Sequence, residues 1–334
     1  MIDCVLTILQ KQHFEIIRQM EDSTENNSQL RLLPNSVYSY RTVAVEHLQN
    51  MQDYMDALRH AGLFSNNRVF RSYVDNKTFR TPENFEDAKF LIVMAVYIPL
   101  AKVSVPFQGN NHEVLIPPNY RVKEFTIDEL RETIAQNIIR DDRFRIEDVR
   151  NGIFLKHIAV RSGLAEYGRN NICYVKGMGS MLSLYAFFTD YIFEEDHWRD
   201  VQMMDSCKDC RLCTNQCPTQ AISEKRFVID VERCLPLYNE IVGEIPSWIQ
   251  KQAHSALIGC MRCQFKCPEN KEVISRSIDL EDLTEIETSS ILQGIVNSET
   301  VNALCQKLKV TTVDCVNQDL PVYSRNLKLL LESH

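Results

Sequence analysis

Eight of the twelve cysteines in this chain of 334 residues have the spacing of iron–sulfur cluster ligands. Four lie in one run, Cys207-Lys-Asp-Cys210-Arg-Leu-Cys213-Thr-Asn-Gln-Cys217-Pro218. The other four are an isolated Cys234 and the three in Cys260-Met-Arg-Cys263-Gln-Phe-Lys-Cys267-Pro268. The pattern Cys-x2-Cys-x2-Cys-x3-Cys-Pro is typical of proteins whose thiolates hold two 4Fe-4S clusters. The spacing therefore predicts two such clusters and a protein that carries electrons.

The same rule assigns the cysteines to two sets of ligands. In two-cluster proteins, the last cysteine of such a run binds the cluster that the other three do not bind. The first set is then Cys207, Cys210, Cys213 and Cys267. The second set is Cys217, Cys234, Cys260 and Cys263. Four thiolates for each cluster leave none of the eight unused.

Two other uses of cysteine fit this spacing less well. Structural zinc favours paired Cys-x2-Cys elements with a long gap between the pairs, often together with histidine. Disulfides need an oxidising compartment, and nothing in the sequence indicates one. The cysteines outside the pattern are expected to be buried, small apolar residues rather than ligands; they are Cys4, Cys173, Cys305 and Cys315.

Length and composition predict a multidomain protein without a membrane segment. A chain of 334 residues exceeds what one hydrophobic core usually serves. Its 44% apolar and 25% charged residues are ordinary for a soluble globular protein. The N-terminus lacks the basic region and apolar core of a signal peptide, and no stretch approaches the ~18 apolar residues of a spanning helix. We therefore expect a cytoplasmic protein.

The charge balance argues against a nucleic-acid partner. The chain has 37 basic and 45 acidic residues, which gives a formal net charge of −8. Proteins that bind nucleic acids usually have a basic footprint, because neutralised phosphates supply most of their non-specific affinity. A tRNA partner is therefore doubtful on charge alone.

Hydrophobic periodicity predicts the elements before the cysteines. Residues 1–60 are predicted to be helical, with a polar break at 23–28 and a second helix ending near Gly62. The apolar run 90–100 predicts a buried strand, and the prolines of 101–123 indicate a loop. Thr126 and Glu129 form a capping box that opens a helix. A further helix is predicted at 153–162 and a strand at 181–193.

A cluster-binding segment of about 201–275 is followed by short helices. Thr284 and Glu287 have capping-box spacing, and the helix that they open is predicted to end near Gly294. Two more short helices are predicted at about 299–309 and 322–332.

Glycines are concentrated just before the cluster-binding segment, at positions 163, 168, 177 and 179. Glycine allows close backbone approach to a ligand, so these turns could contact a cofactor. Turn geometry alone is the competing explanation. The segment lacks both the Gly-x-Gly-x-x-Gly of dinucleotide-binding folds and the Gly-Lys-Ser/Thr of nucleotide-binding loops.

Taken together, these pieces resemble epoxyqueuosine reductase, a cobalamin-dependent iron–sulfur enzyme that completes the queuosine base of tRNA. The resemblance covers about 85–270 and rests on pieces that occur in the same order. They are the strand at 90–97, the segment Ala-Val-Arg-Ser-Gly-Leu-Ala-Glu-Tyr-Gly-Arg-Asn-Asn at 159–171, Gly179-Ser180 with the following strand, and all eight cysteines.

The resemblance implies an α+β chain of three parts. Residues 1–200 would be an α/β cobalamin-binding domain related to flavin nitroreductases and reductive dehalogenases. Residues 201–275 would be a two-cluster, ferredoxin-like domain, and 276–334 a C-terminal helical segment. The turns before the clusters would lie against the corrin ring; their proposed cofactor-binding residues are Gly163, Gly168, Arg169, Asn170, Asn171, Gly179 and Ser180.

The sequence departs from the family where a proton donor is expected. The family has an acidic residue about fourteen positions before the first glycine of the turn, and a gapless alignment places Val149 there. The neighbouring Asp148 and the loop residue Tyr120 are the weak candidates for a catalytic residue. The family's Gly-Leu-Gly-Trp-x-Gly is also replaced by Gly-Leu-Ala-Glu-Tyr-Gly.

Three functional hypotheses follow from these observations. The leading hypothesis is a reductase whose clusters deliver electrons to bound cobalamin for reduction of a small molecule or modified nucleoside. The second is a non-catalytic electron-transfer or corrinoid-activating protein, and the third places a flavin where cobalamin would bind. In each case the electrons would come from a low-potential donor such as ferredoxin or flavodoxin.

Overall fold

In the residues that the structure describes, the fold is a mixed α/β arrangement built on one larger and two smaller sheets. The computed structural model describes residues 31–33, 36–122, 125–149, 152–224 and 228–333. Within these ranges the strands are β1 (Arg31–Leu33), β2 (Ser36–Ala44), β3 (Phe90–Tyr97), β4 (Ala101–Phe107), β5 (Asn110–Ile116), β6 (Ile146–Asp148), β7 (Glu166–Tyr167), β8 (Cys173–Tyr174), β9 (Leu182–Thr189) and β10 (Ile278–Asp279).

Most of the helices are short. Some pack on the two faces of the larger sheet, and others follow its last strand in the chain. In the same described ranges they are α1 (Leu48–His60), α2 (Arg68–Val74), α3 (Ile127–Thr133), α4 (Leu155–Arg161), α5 (Leu212–Gln216), α6 (Pro236–Asn239), α7 (Arg262–Phe265), α8 (Lys271–Ser275), α9 (Glu285–Gln293), α10 (Ser298–Val301) and α11 (Val316–Leu331). Helices α3 and α10 continue as π-helical turns over Ile134–Ile139 and Asn302–Lys307.

The larger sheet has the strand order β1-β2-β3-β9-β6 and is antiparallel throughout. Its central strand β3 is buried along its whole length. Successive side chains of a strand point to opposite faces, so β3 contributes to two cores. Leu91, Val93 and Ala95 belong to the larger core, and Ile92 and Met94 belong to the smaller one under α3. A continuous apolar run is therefore what this position requires.

The larger core reaches from the larger sheet to the C-terminal helices. It contains Leu91 of the sheet, Met261 and Val273 near the cysteines, and Leu304 and Leu327 of the C-terminal helices. The cysteine-containing segment is therefore packed onto the α/β part and is covered by the C-terminal helices. The domain boundaries at 200 and 275 stay a prediction.

Two predicted elements are wrong in the described residues. Residues 36–44, predicted to be helical, form strand β2, whose valines, tyrosines and threonine favour a half-buried pleated surface. Residues 101–116, predicted to be a loop, form the β4–β5 hairpin. Gln108 and Gly109 at its tip have φ of 52° and 79°, the positive values that a tight hairpin turn requires. The helix predicted within 1–30 lies outside the described residues.

The other predicted elements are confirmed in type. Helix α1 buries Leu48, Met51 and Met55, as the periodicity indicated. Both capping boxes are formed, at Thr126 and Thr284. Helix α9 ends at Gly294, whose φ of 69° is the left-handed value that favours glycine. Helix α11 covers the predicted 322–332 helix except its last residue and begins six residues earlier, at Val316. Among the described helices, none is long and apolar enough to cross a membrane.

Candidate iron–sulfur site and adjoining cavity

The first set of cysteines is brought together by α5, α7 and the turns beside them. Cys207 ends a 3₁₀ turn and Cys213 lies in α5; both are buried. Burial raises the pKa of the Cys207 thiol, and nearby Cys267 and Cys210 raise it further. Burial likewise raises the pKa of Cys213, with Cys207 and Cys210 as its thiol neighbours. The four thiols that influence one another are those that the spacing assigned to one cluster.

The second set comes together between α6 and α7. Burial raises the pKa of Cys234 to about 12, with further contributions from Cys260 and Cys217. Burial also raises the pKa of Cys263 well above its ordinary value, with Cys260, Cys234 and Cys217 as neighbours. The backbone N–H of Ala221 donates to Sγ of Cys217 at 3.2 Å. The four thiols of the second set therefore also lie near enough to influence one another's pKa.

This donor arrangement fits the chemistry of a cluster. Buried thiols that raise one another's pKa are difficult to ionise without a compensating positive charge. Bound iron supplies that charge, because a coordinating thiol is deprotonated by the metal. All eleven cysteines of the described ranges are free thiols, so no disulfide competes for them. Their role as ligands stays a prediction.

The cysteines outside the two sets differ in their burial. Cys173 is 3% exposed, as expected for a small apolar residue. Cys305 is partly buried, and Cys315 is exposed beside the start of α11. The expectation of burial is therefore wrong for Cys315, because its segment lies at the surface before the helix. Cys4 lies outside the described residues.

A cavity of about 570 Å³ lies between the α/β part and the second set. All four cysteines of the second set line this cavity, which we call the cluster cavity. Apolar side chains of β9 and of the segment after Cys217 supply part of the remaining wall, including Leu182, Leu184 and Ile222. Its volume lies in the range of small-molecule and cofactor sites.

Tyr120 and Glu240 form a hydrogen-bonded pair in the wall of the cluster cavity. The Tyr120 hydroxyl donates to Oε1 of Glu240. Burial raises the pKa of Tyr120 well above its ordinary value, and the Glu240 carboxylate is the next cause. Burial also raises the pKa of Glu240, whereas the hydrogen bond from Tyr120 opposes that rise. The pair therefore places two buried ionisable groups in the same cavity wall as the second set.

Contacts from distant segments hold this pair in place. The Asn239 side chain donates to the Gly259 carbonyl at 2.7 Å and accepts from the Gly259 N–H at 3.2 Å. A Cβ at Gly259 would lie 2.3 Å from the Tyr120 ring, so only glycine lets the Cys260 segment approach it. Asn326 of α11 donates to the Asn239 carbonyl at 2.8 Å. The C-terminal helix thereby fixes the segment that carries Glu240.

Only two of the seven predicted cofactor-binding residues, Asn170 and Ser180, line the cluster cavity. Ser180 also joins the two parts of the chain, because its N–H donates to Oδ1 of Asn270 at 2.8 Å. A Cβ at Gly179 would lie 2.4 Å from that same Asn270 oxygen. Gly179 therefore permits close packing between the turn and the cluster-binding segment.

The other predicted cofactor-binding residues make contacts within the protein. The Arg169 guanidinium donates to the carbonyls of Cys207 at 2.5 Å and Cys210 at 3.1 Å, so it holds the loop of the first set. Oδ1 of Asn171 accepts from the Ile229 N–H at 3.2 Å. A Cβ at Gly163 would lie 3.1 Å from the Arg199 side chain. Gly168 packs against the Tyr174 ring.

Asp148 lies at the end of β6 and lines a second cavity, together with Arg80, Asn84 and Gly152. Burial raises the pKa of Tyr185, which lines the cluster cavity, and the Asp148 carboxylate raises it further. Asp148 is thus near the cluster cavity without lining it. Tyr120, the other weak candidate for a catalytic residue, lies in the wall of the cluster cavity.

Two residues of this site, Glu240 and Tyr174, carry no signal in the sequence. Glu240 meets a tyrosine that is 120 positions away. Tyr174 follows the glycine turn but belongs to no recognisable motif. Their roles depend on tertiary contacts, which spacing alone does not reveal.

Comparison with known proteins agrees with this geometry. Residues 206–270 match the family model described as a 4Fe-4S double cluster binding domain. All eight predicted ligands lie within that range. The matched segment is therefore a two-cluster iron–sulfur domain.

The chain is similar to epoxyqueuosine reductases. The relative from Cellulophaga algicola is 28% identical over 196 residues, which are 56% of this chain and 60% of that protein. The relative from Staphylococcus aureus is 28% identical over 123 residues, 37% of this chain and 31% of that protein. The matched segments therefore span between about one third and three fifths of these relatives.

Solved epoxyqueuosine reductases have the same fold. The structure from Streptococcus thermophilus aligns with a TM-score of 0.60 at 16% identity and covers 95% of this chain and 81% of that one. A crystal structure of epoxyqueuosine reductase with a modified tRNA-Tyr stem loop aligns with a TM-score of 0.58 at 16% identity, covering 95% and 82%. At this identity the likeness shows the fold.

Proposed function

We propose that this protein is an iron–sulfur reductase that reduces a modified nucleoside or a similar small molecule in the cluster cavity. The observation that carries the proposal is that all four thiols of the second set line one cavity. A protein that only passes electrons to a partner needs a docking surface and has no use for such a cavity. The names of the relatives support a reductase.

Electrons would enter at the first set and leave through the second set. Arg169 holds the first set from outside the cavity, whereas the second set forms part of its wall. The eight cysteines are proposed as ligands of two 4Fe-4S clusters, and a ferredoxin or flavodoxin is proposed as the donor. Electrons would then reach the cluster cavity one at a time, because each cluster passes a single electron.

Cobalamin is the cofactor that we propose for the cluster cavity, with flavin as the lesser alternative. A corrin is a broad apolar ring edged with amides, and the lining is largely apolar with polar groups at Asn119, Asn170 and Gln264. When bound, cobalamin would supply redox chemistry at cobalt. The protein would position the substrate, exclude water and donate protons.

A reduction of this type consumes protons as well as electrons. Reduction of an epoxide to an alkene takes two electrons and two protons and releases one water molecule. We propose Tyr120 and Glu240 as the proton source, because both line the cavity and are hydrogen-bonded to each other. Asp148 is the second candidate; the solved structure from Bacillus subtilis has a catalytic aspartate loop swung out of its active site.

An assay with epoxyqueuosine tests the substrate class directly. The protein would be purified without oxygen, supplied with cobalamin and reduced chemically, then incubated with epoxyqueuosine as free nucleoside and within a tRNA stem loop. We expect mass spectrometry to show loss of one oxygen atom from at least one substrate. The net charge of −8 favours the free nucleoside. If neither substrate changes while both clusters are reduced, the proposed substrate class is wrong.

A further inference from the structure

Three side-chain amides lie in the wall of the cluster cavity, and the protein donates a hydrogen bond to the oxygen of each one. They are Asn119, Asn170 and Gln264. Oδ1 of Asn119 accepts from the Ser183 hydroxyl at 3.2 Å, and Oδ1 of Asn170 accepts from the Ile172 N–H at 3.2 Å. Oε1 of Gln264 accepts from the Ser180 hydroxyl at 2.8 Å. Because a protein donor holds the oxygen end of each amide, the N–H donors are the end left for a bound molecule.

The orientation of the Gln264 amide follows from hydrogen bonds that begin at the backbone. The Ser180 N–H donates to Oδ1 of Asn270 at 2.8 Å, which fixes the two ends of the Asn270 amide. Nδ2 of Asn270 then donates to the Ser180 hydroxyl oxygen at 2.7 Å and to the Gln264 carbonyl at 2.9 Å. The hydrogen of that hydroxyl is left for Oε1 of Gln264. Asn270 is fully buried, so water does not compete for these bonds.

The nitrogen end of the same amide agrees with this orientation. Nε2 of Gln264 donates to the Cys260 carbonyl at 3.4 Å. A carbonyl oxygen can only accept, so a flipped amide would bring two oxygens together at this contact. In the part of the chain that the structure describes, Cys260 is the one acceptor of Nε2. An amide nitrogen carries two hydrogens, so one N–H of this half-buried, cavity-lining residue is left for a ligand.

The charged residues of the wall also supply mainly donors. Lys156 and Arg262 line the cavity, and neither side chain has an acceptor atom. Glu240 is the one carboxylate among the described residues that line the cavity, and its Oε1 already accepts from Tyr120. A wall of this kind fits a molecule that presents acceptor oxygens.

We infer that Gln264 is a ligand-binding residue that donates a hydrogen bond to an acceptor oxygen of the molecule bound in the cluster cavity. This inference rests on the proposed function and adds to it the chemistry that the cavity selects, which is a carbonyl, hydroxyl or epoxide oxygen beside the Cys260 segment. Two molecules proposed for the cavity carry such oxygens. They are cobalamin, through its side-chain amides, and the epoxidised nucleoside.

The test measures both molecules with cluster-replete protein purified without oxygen. Gln264→Glu keeps the acceptor for the Ser180 hydroxyl but replaces the N–H donors by an oxygen. We expect the affinity for one of the two probes to fall by about tenfold. If the oxygen belongs to the corrinoid, the Kd of cobalamin rises. If it belongs to the substrate, the KM of epoxyqueuosine nucleoside rises while kcat is unchanged, because an interaction common to the ground state and the transition state is lost.

A second variant and a control complete the experiment. Gln264→Leu removes the amide without adding a charge and should weaken the same probe. Gln293→Glu makes the same change of charge at an exposed glutamine outside the cluster cavity, and it should weaken neither probe. Iron analysis verifies that each variant holds both clusters.

The inference and the proposed function fail in different ways. If Gln264→Leu holds about eight iron atoms and has the wild-type Kd for cobalamin and the wild-type KM for epoxyqueuosine, the inference is wrong. A wild-type protein that holds both clusters but binds neither probe would instead contradict the proposed function.

Discussion

The Cys234→Ala variant is expected to keep one cluster and lose the other, so that its iron content falls from about eight to about four atoms per chain. Cys234 is the one predicted ligand of the second set that lies outside the two cysteine runs. Its removal leaves three thiols where four are needed. The first set shares no thiol with the second and should assemble normally.

The same variant should lose its reductase activity entirely. The second set lines the cluster cavity, whereas none of the first set does within the described residues. Electrons held by the remaining cluster would then lack their last carrier before the cavity. Cys315→Ala is the matched control, because Cys315 is exposed and lies outside both sets. A Cys234→Ala protein that retains the full iron content would refute the assignment of this cysteine.

The Glu240→Gln variant is expected to lower kcat/KM by about 100-fold, the lower end of what a general acid contributes. Glutamine keeps the size and the acceptor for the Tyr120 hydroxyl but carries no acidic proton. The cluster content and the reduction potentials of the clusters should be unchanged. The lower activity would then be due to lost proton transfer and not to lost electron transfer. Glu244→Gln changes an exposed residue of the same loop and is the control.

The pH dependence of activity provides a second test of Glu240. Burial raises the pKa of this carboxyl, so it stays protonated to a higher pH than an ordinary glutamic acid. Activity should be present below that raised pKa and fall as the pH increases through it. The hydrogen bond from Tyr120 lowers the pKa, so Tyr120→Phe should move this fall to higher pH. An identical pH profile in wild type and Glu240→Gln would exclude Glu240 as the donor.

The sequence was most informative where chemistry depends on local spacing. The two cysteine runs, the two capping boxes and the strand β3 are short-range patterns, because each one is defined by residues close together in the chain. The grouping of Cys267 with Cys207 and of Cys217 with Cys260 also followed from a rule about one run. In the structure the thiols that raise one another's pKa belong to these same groups.

The sequence was least informative where function depends on contacts between distant segments. The role of the glycine turn in binding a cofactor stays a prediction, but the packing of Gly168 against Tyr174 and of Gly179 against Asn270 could not be foreseen from the turn itself. The β4–β5 hairpin was missed because its prolines suggested a loop, although Pro106 near the end of a strand can be accommodated. The pairing of Tyr120 with Glu240 requires the packing of α11, which no local pattern reports.

Binding of a corrinoid by the cluster-replete protein tests the central claim most directly. Protein purified without oxygen would be mixed with cobalamin, passed through a desalting column and analysed for iron, cobalt and absorption spectrum. We expect about eight iron atoms and about one cobalt atom per chain, and a Leu184→Trp substitution that fills the cavity should abolish the cobalt alone. Protein that holds both clusters but retains no corrinoid would contradict the account. Protein that retains flavin instead would show that flavin, and not cobalamin, is the cofactor.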